Sequence, residues 1–225
     1  MERDVIKDRD VVEYVIYRCV IGSRAYGLDH DGSDIDLRGI YLPPADMHWS
    51  LYGVPEQLEQ GEEAYWELQK FLKLALKANP NILECLYTPM VEYTTPLADE
   101  LREMRSVFLT KLVYQTYNGY VMSQFRKLKK HREKYGSIKW KHAMHLIRLL
   151  LSGITTLKDG YIPVDVGDYR EDLLAIRHEK RTWQEVNAWR LELHKEFDAL
   201  YPVTQLPDKP DYDAVNAFLI KARCS

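Results

Sequence analysis

The sequence has few cysteines and no long apolar run. Cysteine occurs three times in 225 residues, at Cys19, Cys85 and Cys224. An odd, widely spaced set of cysteines offers no disulfide framework and is typical of a reducing cytosol. No stretch approaches the ~20 apolar residues of a membrane-spanning helix, and the charged N-terminus is not followed by the apolar segment of a signal peptide. We therefore expect a cytoplasmic protein without a membrane partner.

The sequence also lacks an excess of charge of one sign. Its net charge is −3, so nucleic acid would have to bind to a local basic patch rather than to an overall field. It has no internal repeat, and no Cys-His cluster with zinc spacing. A hydrophobic content of 46% over 225 residues suits one large domain or two small ones. Nothing in the composition predicts the oligomeric state.

The most informative stretch is positions 21–40, with the sequence IGSRAYGLDHDGSDIDLRGI. It follows an apolar run, 11–21, which predicts a buried strand whose first residues also suit a helix. Gly22 and Ser23 end this strand. A phosphate can approach glycine closely because glycine has no Cβ, and the next residues can begin a helical turn with free N–H groups. A second strand is expected from Ser33 to Leu42.

Two acidic residues lie at the start of this second strand. Side chains alternate along a strand, so Asp34 and Asp36 are expected to point one way, and Ile35 and Leu37 into the core. Neighbouring carboxylates raise each other's pKa unless a cation separates them. Mg²⁺ prefers carboxylate and phosphate oxygens, so the pair predicts a site for two Mg²⁺ ions, or for Mn²⁺. The alternative is a pair of solvated turn residues.

Gly22-Ser23 followed by Ser33-Asp34-x-Asp36-Leu37 resembles the signature of the DNA polymerase β-type nucleotidyltransferase superfamily. The longer string GSRAYGLDHDGSDIDLRGIYLPP is similar to one branch, the predicted nucleotidyltransferases associated with RNA repair. The likeness continues at KFLKL, NPNILE and KHAMHLIRL and covers about residues 15–190. It implies an α+β fold, with a small mixed or antiparallel sheet carrying helices, followed by an all-helical part.

The resemblance implies an activity as well. A nucleotide such as ATP would give its NMP to an acceptor hydroxyl, with RNA as the expected partner and pyrophosphate as the product. The alternatives are a protein adenylyltransferase, which moves AMP to Tyr or Ser, and a non-catalytic nucleotide-binding module. The expected nucleotide-binding residues are Gly22, Ser23, Arg24, Ser33 and Arg38.

The superfamily usually carries a third carboxylate, on a strand antiparallel to the Asp-x-Asp strand and just before a helix. Positions 62–66 predict a third strand, which runs into an amphipathic helix at 67–78. We choose Glu62 as this catalytic, metal-binding carboxylate from its distance to the helix, although Asp is commoner there in the superfamily. Glu63 and Glu84 remain alternatives.

The chain is expected to divide near residue 95. Residues 1–95 would form the nucleotidyltransferase core, and 96–225 a helical domain that closes over the active site. We expect residues 1–10 to be a helix end or a frayed tail, 45–61 an irregular loop and 89–96 a break. Helices are predicted over 97–109, 112–134, 138–157, 171–176, 183–200 and 212–222.

A basic segment lies between Arg126 and Arg148. It holds nine basic residues against one acid, Glu133: Arg126, Lys127, Lys129, Lys130, Arg132, Lys134, Lys139, Lys141 and Arg148. Such a local excess is typical of a surface that binds phosphates, and Tyr135 and Trp140 are suited to stack on bases. The alternative is a solvated helix face.

Two histidines and an arginine recur at intervals of three within this segment. His142, His145 and Arg148 share one helix face, and Lys141 is adjacent. Charge-assisted donors in this arrangement predict a pocket for a phosphate or for the acceptor. A pair of purely structural histidines is the alternative.

Overall fold

The computed structural model, which describes residues 11–224, contains a five-stranded mixed sheet and a helical second half. The strands are β1 Val15–Ile21, β2 Asp36–Tyr41, β3 Gln57–Gln60, β4 Glu63–Glu67 and β5 Val91–Thr94. The sheet order is β3-β4-β2-β1-β5, in which β2 and β4 are parallel and the other pairs are antiparallel. The predicted α+β class is confirmed. The tail or helix end expected over 1–10 lies outside the described residues.

Helices surround the sheet and form the second half. Those of the first half are α1 Val11–Tyr14, α2 Gly22–Ala25, α3 Ala45–Trp49, α4 Leu68–Ala75, α5 Pro80–Tyr87 and α6 Pro96–Glu103. Those of the second half are α7 Leu112–Tyr135, α8 Trp140–Asp159, α9 Arg170–Arg177, α10 Trp183–Leu200 and α11 Tyr212–Cys224, with 3-10 turns at Arg105–Phe108 and Gly167–Tyr169. Across residues 11–224, no helix combines the length and the apolar character needed to cross a membrane.

Strand β1 lies between β2 and β5. The apolar run at 11–21 is helical only over α1, as its alternative interpretation allowed, and extended from Val15 onward. The side chains of Tyr17 and Cys19 are fully buried, as expected for a strand with neighbours on both sides.

Strand β2 begins at Asp36, three residues later than predicted. Ile21, the last residue of β1, pairs with Asp36, so Asp34 and Ile35 lie beyond the end of β1 and have no ladder partner there. A turn that joins the amide of Ser33 to the carbonyl of His30 (2.9 Å) precedes them. The prediction that Ile35 points into the core is therefore wrong, since this side chain is 46% exposed.

Strand β4 runs parallel to β2, and the antiparallel direction implied for the third-carboxylate strand is wrong. The segment at 45–61 is not irregular, because it contains α3 and β3. Strand β3 already reverses the chain relative to β2, and the turn at Gly61 (φ +59°) then returns β4 to the direction of β2.

Three further predictions of secondary structure need correction. The helix expected at 67–78 ends at Ala75, and Asn79-Pro80 caps and begins α5 as well as stopping α4. The break at 89–96 contains β5, and the helix expected at 97–109 divides into α6 and a 3-10 turn. The remaining predicted helices of the second half correspond to α7–α11, with ends within a few residues.

One hydrophobic cluster runs through both halves of the chain. It includes Tyr17 and Leu83 from the first half and Ile147 and Phe197 from the second. Helix α8 packs against α7, α9 and α10. Gly136, in the left-handed conformation at φ +68°, ends α7 and leads to α8. The sheet and the helical half therefore share a common core, which places α7 and α8 opposite the sheet.

Candidate active site

A cleft of about 940 Å³ separates the sheet from α7 and α8. Its sheet side is formed by Ile21, Gly22, Asp36, Arg38, Gln57, Glu59, Ala64 and Trp66, and the start of α5 contributes Asn79, Pro80 and Asn81. The helical side includes Tyr120, Gln124, Lys127, His131, Lys139, His142, His145 and Arg148. Residues from the sequence motif and from the basic segment therefore face the same space.

Gly22 packs directly against Asp36. Its φ of +76° lies in the left-handed region, and a Cβ at this position would be 2.1 Å from Oδ2 of Asp36. The turn expected after Gly22 is α2, in which the amides of Tyr26 and Leu28 donate to the carbonyls of Gly22 (3.0 Å) and Ser23 (2.9 Å). Glycine is required here by the backbone conformation and by the nearby carboxylate together.

Asp36 and Arg38 lie on the cleft face of β2. Nη2 of Arg38 is 3.7 Å from Oδ1 of Asp36. Nη1 of Arg38 donates to the carbonyls of Leu37 (2.8 Å) and Glu62 (2.8 Å). Arg38 thus ties the start of β2 to the chain just before β4. Asp34, by contrast, is exposed in the loop before β2.

The register of β2 and β4 separates the candidates for the third carboxylate. Leu37 pairs with Glu63, and Arg38 pairs with Ala64. Glu62 therefore precedes the ladder beside Asp36, with its carbonyl accepting from the amide of Leu37 (3.1 Å). Glu62 belongs to the turn before β4, so strand alternation does not fix its side chain, and its assignment as the third carboxylate stays a prediction. The Glu63 carboxylate accepts from the Tyr65 hydroxyl (2.6 Å) on the opposite face.

A preformed metal cage is absent from the part of the chain that the structure describes. Within residues 11–224, no three His, Cys, Asp or Glu side chains are close enough to hold a metal ion. Mg²⁺ is commonly bound by one or two carboxylates together with substrate phosphates. The Asp36 carboxylate lies on the cleft, so together with the phosphates of a bound substrate it would fit that mode of binding.

The chain between β1 and β2, residues 22–35, is called the motif loop below. Arg24 and Ser33, two of the expected nucleotide-binding residues, form hydrogen bonds within it. Nη2 of Arg24 donates to the carbonyl of Ser33 (2.9 Å), and Oγ of Ser33 accepts from the amide of His30 (3.0 Å). Both contacts are internal to the loop. They hold its two ends together between β1 and β2.

The residues of the basic segment lie in three environments: the wall of the cleft, the outer surface and the interior. Lys127 and Lys139 line the cleft, as do His142 and His145, whereas Lys141 is exposed. Burial, together with the positive charges of neighbouring Arg and Lys residues, lowers the pKa of His145 to about 4. His145 is therefore a neutral imidazole at pH 7, and the wall carries the positive charges of Lys127, Lys139 and Arg148.

The two aromatic residues suggested for base stacking have different environments. Trp140 is partly buried and packs against the hydrophobic core. Tyr135 is 60% exposed at the end of α7 and lies beside the ring of His131, with 4.7 Å between ring centroids. The ammonium group of Lys134 also lies over the Tyr135 ring, 4.9 Å from its centroid, and the role of Tyr135 in stacking stays a prediction.

The sequence did not predict the internal partners of Glu84. This fully buried carboxylate accepts from the hydroxyl of Tyr26 (2.6 Å) and from Nη1 of Arg148 (2.7 Å). The guanidinium also lies over the Tyr26 ring, 3.6 Å from its centroid. Glu84 therefore belongs to an internal network and is not a carboxylate of the cleft. The positive charge of Arg148, which was expected to bind a phosphate or the acceptor, is paired with Glu84 inside the protein.

These contacts alter the acidity of the groups involved. Burial, followed by the charge of Glu84, raises the pKa of Tyr26 well above its usual value. Burial alone would lower the pKa of Arg148, but the adjacent Glu84 carboxylate raises it. The tyrosine stays protonated and the arginine stays charged. The hint in the sequence was a lone carboxylate within an apolar run, which is costly to bury without a partner.

A second set of contacts holds the motif loop from outside. Three consecutive carbonyls, those of Tyr26, Gly27 and Leu28, each accept a hydrogen bond from the segment 166–177. The donors are the amide of Val166 (3.2 Å), Nε of Arg170 (2.8 Å) and Nη1 of Arg177 (3.0 Å). No local pattern in the sequence indicates these pairings, because about 140 to 150 residues separate donor from acceptor.

A glycine turn after one strand, a carboxylate at the start of the next and a third strand alongside define a polymerase β-type nucleotidyltransferase fold. The family model described as the RNA repair pathway DNA polymerase beta family, RlaP, matches residues 3–221. The chain belongs to this family.

Two curated proteins are also similar to the chain. The uncharacterized protein YcgL of Bacillus subtilis (strain 168) is 34% identical over 98 residues, which are 41% of this chain and 38% of that protein. The uncharacterized protein MJ0002 of Methanocaldococcus jannaschii is 23% identical over 226 residues, 90% of this chain and 91% of that protein. The chain thus matches well under half of the Bacillus protein and nearly all of the archaeal one.

Proposed function

We propose that this protein is a nucleotidyltransferase that moves an NMP from an NTP to a hydroxyl of an RNA acceptor and releases pyrophosphate. One observation carries the proposal. The carboxylate of Asp36 is packed against the Gly22 turn, at a cleft whose opposite wall bears Lys127 and Lys139. Membership of an RNA repair family supports RNA as the acceptor.

The Gly22–Ser23 turn is the proposed site for the triphosphate. Glycine leaves the backbone accessible to phosphate oxygens, and the hydroxyl of Ser23 supplies one more donor. Arg38, on the cleft face beside Asp36, adds positive charge. These groups would hold the β- and γ-phosphates, with the α-phosphate directed toward Asp36.

Asp36, with Asp34 and Glu62 at the same edge of the sheet, would hold Mg²⁺ or Mn²⁺ together with the nucleotide phosphates. The bound ion would supply charge neutralisation and would lower the pKa of the acceptor hydroxyl. In the sheet, Asp36 is set by pairing with Ile21, and the chain at Glu62 is set by its bond to the amide of Leu37. These carboxylates would therefore face the α-phosphate from the wall of the cleft that the sheet forms.

The reaction is a displacement at the α-phosphorus. The acceptor oxygen forms a bond to phosphorus as the bond to the β-phosphate oxygen breaks, and pyrophosphate leaves with that electron pair. The hydroxyl proton is released to a base at this edge of the sheet. Positive groups on the cleft, Arg38 and the two lysines, would stabilise charge on the transferring and leaving phosphates.

The acceptor RNA is proposed to lie along the α7–α8 hairpin. Lys127 and Lys139 line the cleft, and further basic residues, Arg126, Lys129, Lys130, Arg132 and Lys134, are exposed on α7. A local basic surface of this kind binds phosphates although the net charge of the protein is −3.

The test is transfer of label from α-labelled ribonucleotides, with Mg²⁺, to a total RNA pool and separately to protein. Wild type is compared with Asp36→Asn and with Asp213→Asn, an exposed aspartate on α11. We expect label on RNA with wild type and Asp213→Asn, and at least a hundredfold less with Asp36→Asn at unchanged thermal stability.

Other outcomes would change the assignment. Label found on protein alone would identify the alternative adenylyltransferase. Nucleotide binding without label in either pool would favour a non-catalytic module. Full activity of Asp36→Asn would show that the transfer site lies elsewhere.

A further inference from the structure

We propose that Tyr26 is a positioning residue, which acts through Glu84 and Arg148 to set the Gly22–Ser23 turn for transfer. This inference rests on the proposed function and concerns the geometry of that same site. Tyr26 ends α2, four residues after Gly22, and its amide donates to the carbonyl of Gly22 (3.0 Å). A displacement of Tyr26 would therefore move the turn directly.

Tyr26 is held at both its side chain and its backbone. The hydroxyl donates to Glu84 on α5 (2.6 Å), and the carbonyl accepts from Val166 (3.2 Å). The guanidinium of Arg148 lies over the ring, and His145 forms a T-shaped pair with it, with 6.2 Å between the centroids of the two rings. Three separate parts of the helical scaffold thus set the position of one residue of the motif.

Stability is a poor explanation for this arrangement. Glu84 and Arg148 are both buried, and a buried ion pair seldom stabilises a protein more than apolar residues of the same volume. What the buried pair does provide is a single geometry, since separating Glu84 from Arg148 leaves a buried charge without its partner. The carboxylate of Glu84 accepts from Tyr26 with one oxygen and from Arg148 with the other. These two bonds fix the position of the Tyr26 ring.

The position of the turn is critical because Gly22 and Asp36 are in contact. The site has no spare room between the glycine backbone and the carboxylate oxygen, as the 2.1 Å approach of an added Cβ shows. Misplacement of reacting groups by about 1 Å can cost a hundredfold in rate. Loss of the Tyr26 hydroxyl, which is bonded to Glu84 inside the protein, would therefore lower the rate of transfer through the position of the turn.

The variant Tyr26→Phe removes only the hydroxyl, and the protein contains a matched control. The hydroxyl of Tyr17 also donates to α5, to the carbonyl of Cys85 (2.6 Å), and Tyr17 is also fully buried. The two substitutions delete the same atom and each removes a hydrogen bond to α5, accepted by the Glu84 carboxylate for Tyr26 and by a backbone carbonyl for Tyr17. They differ in that Tyr26 belongs to the motif turn, whereas Tyr17 lies within β1.

We expect Tyr26→Phe to lower kcat at least tenfold, with KM for the nucleotide changed less than threefold. Tyr17→Phe should keep kcat within threefold of wild type, although it also loses thermal stability. Hydrogen exchange gives a readout that needs no activity. The amides of Tyr26, Gly27 and Leu28 close α2, and they should exchange faster in Tyr26→Phe than in Tyr17→Phe.

Two results would overturn the inference. Equal exchange of these amides in the two variants would show that the hydroxyl does not hold the turn. Equal loss of kcat in both variants would show a general structural effect. If wild type transfers no nucleotide to any acceptor, the proposed function fails, and the exchange comparison still decides whether Tyr26 sets the turn.

Discussion

The carboxylate of Asp36 occupies the space that a side chain on Gly22 would need. An added Cβ would be 2.1 Å from Oδ2 of Asp36, and φ at Gly22 is +76°. We expect Gly22→Ala to lower transfer at least a hundredfold and to destabilise the protein by about 1–2 kcal/mol or more, from left-handed strain alone. The measurements are turnover and chemical unfolding.

Gly53→Ala is the control for backbone strain. Gly53 has φ +61°, but no atom lies within 4 Å of an added Cβ. This variant should lose a similar amount of stability from strain and keep its activity. Equal activity losses in the two variants would contradict the role assigned to the Gly22–Asp36 contact.

Substitution of Glu62 and Glu63 tests the register argument. Glu62 precedes the ladder beside Asp36, whereas the Glu63 carboxylate is bonded to Tyr65 on the other face. We expect Glu62→Gln to lower transfer at least tenfold and to raise the Mg²⁺ concentration needed for half-maximal rate. Glu63→Gln should change neither by more than about twofold, and the reverse order of effects would assign the third carboxylate to Glu63.

The lysines that line the cleft should account for part of the affinity for RNA. Lys127→Ala and Lys139→Ala are each expected to weaken RNA binding and to reduce the slope of log K against log salt by about 0.7–1, the value for one phosphate contact. Lys221, exposed on α11 and paired with Glu100, is the control because it lies outside the basic segment. A slope unchanged in the two cleft variants would exclude phosphate contacts at these positions.

The partly buried imidazole of His145 should make stability dependent on pH. Its pKa is lowered to about 4, first by burial and then by nearby positive charges. The unfolded chain takes up a proton near pH 6.5 and the folded protein only near pH 4, so stability falls as the pH decreases between these values. By linkage the full loss is about 3 kcal/mol.

His145→Gln removes this titration. The unfolding free energy of wild type minus that of the variant should therefore decrease as the pH is lowered from 7.5 to 4.5. A difference that stays constant over this range would show that His145 titrates normally in the folded protein.

The last turn of α11 should stabilise the junction of β4 and α4. Nη2 of Arg223 donates to the buried carboxylate of Glu67 (3.0 Å). Arg223→Ala is expected to cost about 2–4 kcal/mol of unfolding free energy, because the buried carboxylate keeps the amide of Lys70 (3.2 Å) but loses its arginine. Lys221→Ala, which removes the more exposed pair with Glu100, should cost about 1 kcal/mol or less.

Local patterns predicted the parts of this protein that depend on local contacts. The strand before Gly22, the turn after it and the long helices α7, α8 and α10 follow from apolar periodicity and from glycine positions. Strands β3 and β5 were missed because they are four residues each and mostly exposed, which leaves them without an apolar alternation.

The internal network required information that no local pattern contains. A carboxylate at position 84 among apolar residues indicates that a partner exists, but 64 residues separate it from Arg148 and 58 from Tyr26. The exposure of Ile35 was missed for a related reason. It depends on where β1 ends relative to β2, and a strand pattern alone does not give the register.

The hydrogen bonds from 166–177 to the carbonyls of residues 26–28 bear on the order in which the protein can be assembled. During synthesis, the motif near the beginning of the chain emerges long before Arg170 and Arg177 exist. About 140 further residues must be synthesised before the donors to these three carbonyls are present. A nascent chain that has completed its whole sheet therefore still lacks these contacts with residues 26–28, and they can form only after segment 166–177 has been synthesised.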